Sequence, residues 1–65
     1  MTGPAIYTIR AYGFPGHPFP RFIDGLLLHS ARIRAAAMRA DDWRLVEIVR
    51  WVKGADPEVV ETLGN

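Results

Sequence analysis

Residues 5–12 read Ala5-Ile6-Tyr7-Thr8-Ile9-Arg10-Ala11-Tyr12, and they form the one stretch of this chain that reads as a β-strand. Its β-branched and aromatic residues favour extended backbone. Alternation places Tyr7, Ile9 and Ala11 on one face and Ile6, Thr8, Arg10 and Tyr12 on the other. Behind it the apolar spacing is helical, so the chain offers no second strand. A strand without a neighbour leaves its N–H and C=O groups unpaired, and even a lone hairpin is marginal in water. The sequence therefore predicts that this strand pairs with another chain, either a larger protein or a second copy.

Working outward, Gly13-Phe14-Pro15-Gly16-His17-Pro18-Phe19-Pro20 is a turn or extended arm. Its prolines remove donors and fix φ, while its glycines loosen the backbone. Phe14 and Phe19 are expected to plug the end of a helical core, and Pro15–Pro18 formally matches P-x-x-P. A first helix is expected from Arg21 to Arg39, with Pro20 at its start. Its stripe would be Phe22, Ile23, Leu26, Ser30, Ile33, Ala37 and Ala40. Arg21, Arg32 and Arg39 line up on the far side near Leu28, and Arg34, at the stripe's edge, is expected to snorkel or pair with Glu47. Asp41 or Asp42 would cap a second, antiparallel helix over residues 42–53. There Leu45, Ile48, Val49 and Val52 face the core, Trp43, Glu47 and Arg50 lie opposite, and Gly54 ends the helix. Asp56-Pro57-Glu58 reads as the start of a short third helix. The expected fold class is mostly α in a single small domain: an N-terminal strand and Pro-rich turn (1–20), an antiparallel helical hairpin (21–53) and a short C-terminal helix (54–65).

Size and charge restrict what such a domain can do. With 65 residues it can bury only about 60% of its unfolded surface. It has no cysteine, so disulfides and thiolate metal sites cannot supplement the core, and association is the usual remedy. An apolar content of 49% is too high for a disordered chain of low net charge. The formal charge of +1 does not by itself suggest nucleic acid or an anionic membrane. Its distribution is uneven: residues 1–40 carry five arginines against Asp24, whereas 41–65 carry six carboxylates against Arg44, Arg50 and Lys53. No early basic cluster precedes a long apolar run, and no segment is long enough to span a bilayer, so a cytoplasmic location is expected. Arginine over lysine and abundant alanine suggest a GC-rich bacterial or phage genome.

No constellation points to catalysis, a metal or a cofactor. His17 and His29 have only Asp24 nearby in sequence, which falls short of the convergent ligands zinc needs. His29 and Ser30 are adjacent on a helix and cannot face each other as base and nucleophile. The Asp41/Asp42 pair is explained by capping, and Gly13 and Gly16 make no phosphate loop. The chain is read as a non-enzyme.

What remains is binding. Trp43 projects away from the expected core stripe, either as an exposed residue of the type enriched among interface hot spots or covered by the third helix or the N-terminal arm folding over it. The expected partner-binding set is Tyr7, Ile9, Tyr12, Leu28, Arg32, Arg39, Trp43 and Arg50. The leading expectation is a protein-binding module, a small accessory subunit or a phage-type inhibitor, with the strand adding to a partner's sheet. An alternative comes from element order: a strand followed by two helices over Ile6 to Lys53 resembles the ribbon-helix-helix family of dimeric DNA-binding regulators. That resemblance would direct Thr8 and Arg10 toward the major groove. The chain departs from the family in the Gly13–Pro20 insertion, the long first helix and the aspartates Asp41-Asp42 at a phosphate-facing helix start, so nucleic acid is not the expected partner.

Overall fold

The computed structural model describes residues 5–64, and its architecture is not mostly α. Among the described residues there are four strands and one helix: β1 (Ile6–Tyr12), β2 (Arg21–Leu26), α1 (Leu28–Ala40), β3 (Leu45–Trp51) and β4 (Glu58–Gly64). The strands form one sheet in the order β2-β1-β3-β4, antiparallel throughout. The helical hairpin predicted over 21–53 is replaced by a strand, a helix and a second strand, and the predicted C-terminal helix is β4. Two helices after a strand are what the ribbon-helix-helix resemblance required, so that architecture falls with the hairpin.

Each departure has a local cause. In residues 45–51, three β-branched residues and a tryptophan alternate between the two sheet faces, and side-chain stiffness at Cβ favours extended backbone. The same residues also satisfy i, i+3, i+4 spacing, so periodicity alone could not separate strand from helix. In residues 21–26, Gly25 adopts φ 74° and the β1–β2 register shifts between Tyr7 and Ile9, producing a bulge where a helix had been expected to continue. Asp42 has φ 73° and caps nothing that follows it; it ends α1 instead. Asp42 N–H donates to Arg39 O at 3.3 Å and Trp43 N–H to Met38 O at 3.2 Å, the paired bonds of a Schellman motif with aspartate at the left-handed position.

β1 is the centre of the sheet. It pairs with β2 along one edge and with β3 along the other, Ile9 lying between Ile23 and Ile48. The premise of an unpaired N-terminal strand is therefore overturned; the exposed edges belong to β2 and β4.

α1 covers one face of the sheet, packing on β3, β1 and β4. Ala31, Ala35 and Met38 point inward, against Ile9, Ala11, Val46 and Ile48. The predicted stripe was rotated from this one: Ile33 is 59% exposed, and Ala37 and Ala40 are exposed. Small residues face the sheet because the isoleucines and valines beneath already fill the layer, and larger helix residues there would overpack it.

The β1–β2 loop is held against the start of β3. Arg44 N–H donates to Tyr12 O at 3.0 Å, and Gly13 has φ 77°. A Cβ at Gly13 would lie 2.8 Å from Arg44 Cβ in a backbone region costly to L-residues. Gly13→Ala is expected to lower stability by about 1–3 kcal/mol, read as a fall in Tm; an unchanged Tm would show that the loop is not clamped here.

Candidate functional site

The residues predicted to bind a partner do not converge on one surface. Ile9 is fully buried and Tyr7 half-buried on the helix-facing side. Leu28 packs against the core edge. Arg32 Nε donates to Glu61 Oε2 at 2.7 Å, bridging α1 and β4. Arg39 Nη1 donates to the carbonyls of Trp43 at 2.8 Å and Arg44 at 3.1 Å, tying the helix end to the chain that follows it. Arg50 Nη2 lies 3.8 Å from Glu58 Oε1, an exposed cross-strand pair. Trp43 lies in the connection between α1 and β3 and is only 5% exposed. Phe14 tilts against it with ring centroids 5.1 Å apart, and His17 meets it edge-on at 5.9 Å. The loop thus folds over Trp43 and makes it a core residue; the helical core that Phe14 and Phe19 were expected to plug is absent, Phe14 packs on the sheet–helix core instead, and Phe19 is exposed.

Of the predicted set, Tyr12 alone lies on the sheet face that none of the described elements covers. Alternation from the paired registers assigns that face Ile6, Thr8, Arg10 and Tyr12 from β1, Phe22 and Asp24 from β2, and Leu45, Glu47, Val49 and Trp51 from β3, with Val59 and Thr62 from β4. An uncovered antiparallel face ordinarily alternates to polar residues. Here Ile6 (50% exposed), Phe22 (56%), Trp51 (46%) and Val59 (41%) open onto solvent. Ile6 is registered opposite Trp51, and Val59 opposite Val49, two residues before Trp51. Three of these exposed side chains thereby share one end of the face.

Its polar residues are mostly paired with one another. Arg10 Nη2 lies 3.2 Å from Glu47 Oε1, both half-buried, and Thr8 Oγ1 donates to Asp24 Oδ1 at 2.8 Å. Arg10 Nε is buried and has no acceptor among the described residues. With Arg10 opposed by Glu47 and Asp24, the face offers no net positive charge to a phosphate backbone. Among the described residues no three His, Cys, Asp or Glu side chains converge on a possible metal position, and no helix is long and apolar enough to cross a membrane.

No family model, curated protein or solved structure matches the chain. The open face therefore stands on its own geometry. Helical spacing puts Phe22 in a core stripe and Val59 on a third helix, so it hides their exposure on a sheet face. The period-two alternation of residues 45–51 was the signal that could have placed Trp51 on a sheet surface.

Proposed function

We propose that the protein is a non-enzymatic protein-binding module, a small accessory subunit or phage-type inhibitor, that docks on a larger protein through the open face of its sheet. The observation that carries this reading is the exposure of Ile6, Phe22, Trp51 and Val59 on an uncovered face. Apolar side chains grouped in this way gain most by burial against a partner, and aromatics dominate such contacts. The paired Arg10–Glu47 and Thr8–Asp24 groups fit a protein surface better than a nucleic acid, because neither brings surplus positive charge. A cytoplasmic location belongs to the same proposal and rests on the sequence reading.

The test is affinity capture of tagged protein from a lysate of its source organism at moderate and high salt, with mass spectrometry and nucleic-acid quantification. Wild type is expected to retain one larger protein at high salt. Trp51→Glu is expected to weaken that capture at least tenfold while leaving the far-UV circular dichroism unchanged, because Trp51 is half-exposed and supports no buried contact of the core cluster. Salt-labile nucleic acid as the retained species, or capture indifferent to Trp51→Glu, would overturn the reading.

A further inference from the structure

A second surface lies on the helix side of the sheet. Because α1 packs on β3, β1 and β4, it leaves β2 projecting beyond it. The result is an open trough of about 510 Å³ between the C-terminal half of α1 and β2. Ile23 and Arg21 form its β2 wall, Arg34 and Asp41 its helix wall, and Met38 and Trp43 lie between them. It continues past Arg21 and Trp43 toward the turn at Phe14–His17.

Two features set this trough apart from the rest of the molecule. The first is charge. Arg10, Arg32 and Arg50 are each paired with a glutamate and Arg39 bonds backbone carbonyls; of the four remaining cations, Arg21, Arg34, Arg44 and Lys53, none has a side-chain hydrogen-bond or ion-pair partner among the described residues, and Arg21 and Arg34 are the two that line one trough. Two unopposed guanidinium groups face the trough against one carboxylate, Asp41. The second feature is the strand edge beside it. Among the described residues no strand pairs with the outer side of β2, and its regular portion, Arg21–Ile23, comes before the bulge at Asp24–Gly25 and beside the trough. An extended segment added along that edge forms main-chain bonds with β2, and every second side chain falls on the trough side.

We infer that the β2 edge and the adjoining trough bind an extended segment of a partner protein, with a carboxylate side chain held by Arg21 and Arg34. Guanidinium groups bind carboxylates through directional paired donors, which fixes the register of the incoming strand. The apolar surface of Ile23 and Met38 accepts the neighbouring side-chain stem. The other sheet edge is less suited: β4 carries Glu58 and Glu61, already engaged by Arg50 and Arg32, and its own bulge interrupts the ladder at Val59–Glu61. Engagement of those glutamates also disfavours a second copy as the occupant. Pairing β2 with β4 of another molecule would build an open-ended filament.

This inference rests on the protein-binding reading only in that its occupant is a protein segment, and it uses a different surface. The test is titration of ¹⁵N-labelled protein by NMR with three probes: an acetylated, amidated hexapeptide alternating valine and glutamate, its glutamine counterpart, and sodium glutarate. The glutamate peptide is expected to shift the amides of Arg21–Ile23 and of residues 37–43 and to slow hydrogen exchange along β2. The glutamine peptide is expected to bind at least tenfold more weakly. Arg21→Gln and Arg34→Gln, both at exposed unpaired positions, are each expected to weaken binding of the glutamate peptide threefold or more. Equal binding of the glutamine peptide, glutarate shifts matching the peptide's, shifts centred on β4 or the open face, or silence at millimolar peptide would each overturn the inference. So would dilution-dependent shifts at β2 and β4 without peptide, which would assign the edge to a second copy. Trp51→Glu is expected to leave peptide binding unchanged, so failure of the open-face proposal is distinguishable from failure here.

Discussion

Trp43→Ala is expected to lower stability by about 3–5 kcal/mol, the range for truncating a large buried aromatic. Trp43 joins the end of α1, the β1–β2 loop and the start of β3. Its ring packs on Phe14 and His17, its N–H completes the α1 terminus on Met38, and its carbonyl receives Arg39. Truncation leaves a hole that the loop cannot fill without losing its own anchor. A chain of 65 residues has roughly 3–10 kcal/mol in total. The variant should therefore be largely unfolded or close to its midpoint at 25 °C. Urea titration followed by circular dichroism measures this, and Trp51 remains as a fluorescent reporter in the variant. Trp43→Phe should recover more than half of the loss by keeping an aromatic against Phe14. A Trp43→Ala midpoint equal to wild type would show that Trp43 is peripheral, as a partner-facing tryptophan would be.

That contrast marks how far the sequence could be read. The strand over residues 5–12 was legible because its alternation is long and flanked by a Pro/Gly-rich segment, and β1 spans Ile6–Tyr12 within it. The C-terminal half of the predicted first helix was also legible, since α1 ends at Ala40 close to the expected stop. The remainder was ambiguous for a physical reason. Leu45, Ile48, Val49 and Val52 fit a helix face, while Val46, Glu47, Ile48 and Val49 fit a two-sided strand; which one forms depends on whether a sheet exists to receive it. β3 is a strand because β1 pairs with it, a non-local fact absent from any local window. With residues 42–53 read as helix, β1 looks orphaned, and residues that hold the core together look like a binding edge. The error was one of pairing, and it propagated to Ile9, Tyr7 and Trp43. The Asp56-Pro57-Glu58 signal failed in the same way: Asp56 and Pro57 follow the turn at Lys53–Gly54 as irregular backbone, and Glu58 opens β4.

The open face was illegible for a related reason. Which of Phe22, Trp51 and Val59 meets solvent depends on the side of the sheet that α1 occupies, and the inward alanines Ala31 and Ala35 carry too weak an apolar signal to show which helix face is buried. Arg21 and Arg34 illustrate the converse. Both were noted as basic positions, yet only the offset of α1 from β2 makes them opposite walls of one trough.

Ile9→Pro separates the two pictures of the N-terminal strand most sharply. If residues 5–12 were an arm awaiting a partner, proline there would leave the isolated protein folded and abolish only the docking that needs the arm. In the sheet described above, Ile9 occupies the central strand, with Ile23 on one side and Ile48 on the other, and its side chain is fully buried. Whichever neighbour its N–H faces, proline removes a ladder donor and places its ring inside a paired sheet, where proline is essentially excluded. Loss of the isoleucine volume beneath Ala31 and Ala35 adds a cavity. Together these are expected to cost about 4 kcal/mol or more, enough to abolish cooperative unfolding in a domain of this size. The ¹⁵N–¹H spectrum should collapse to the narrow dispersion of an unfolded chain. Phe22→Pro, on the edge strand β2 with its side chain open to solvent, should leave the spectrum dispersed and serves as the control. A well-dispersed spectrum for Ile9→Pro would overturn the central position of β1 and, with it, the sheet order on which both proposed surfaces depend.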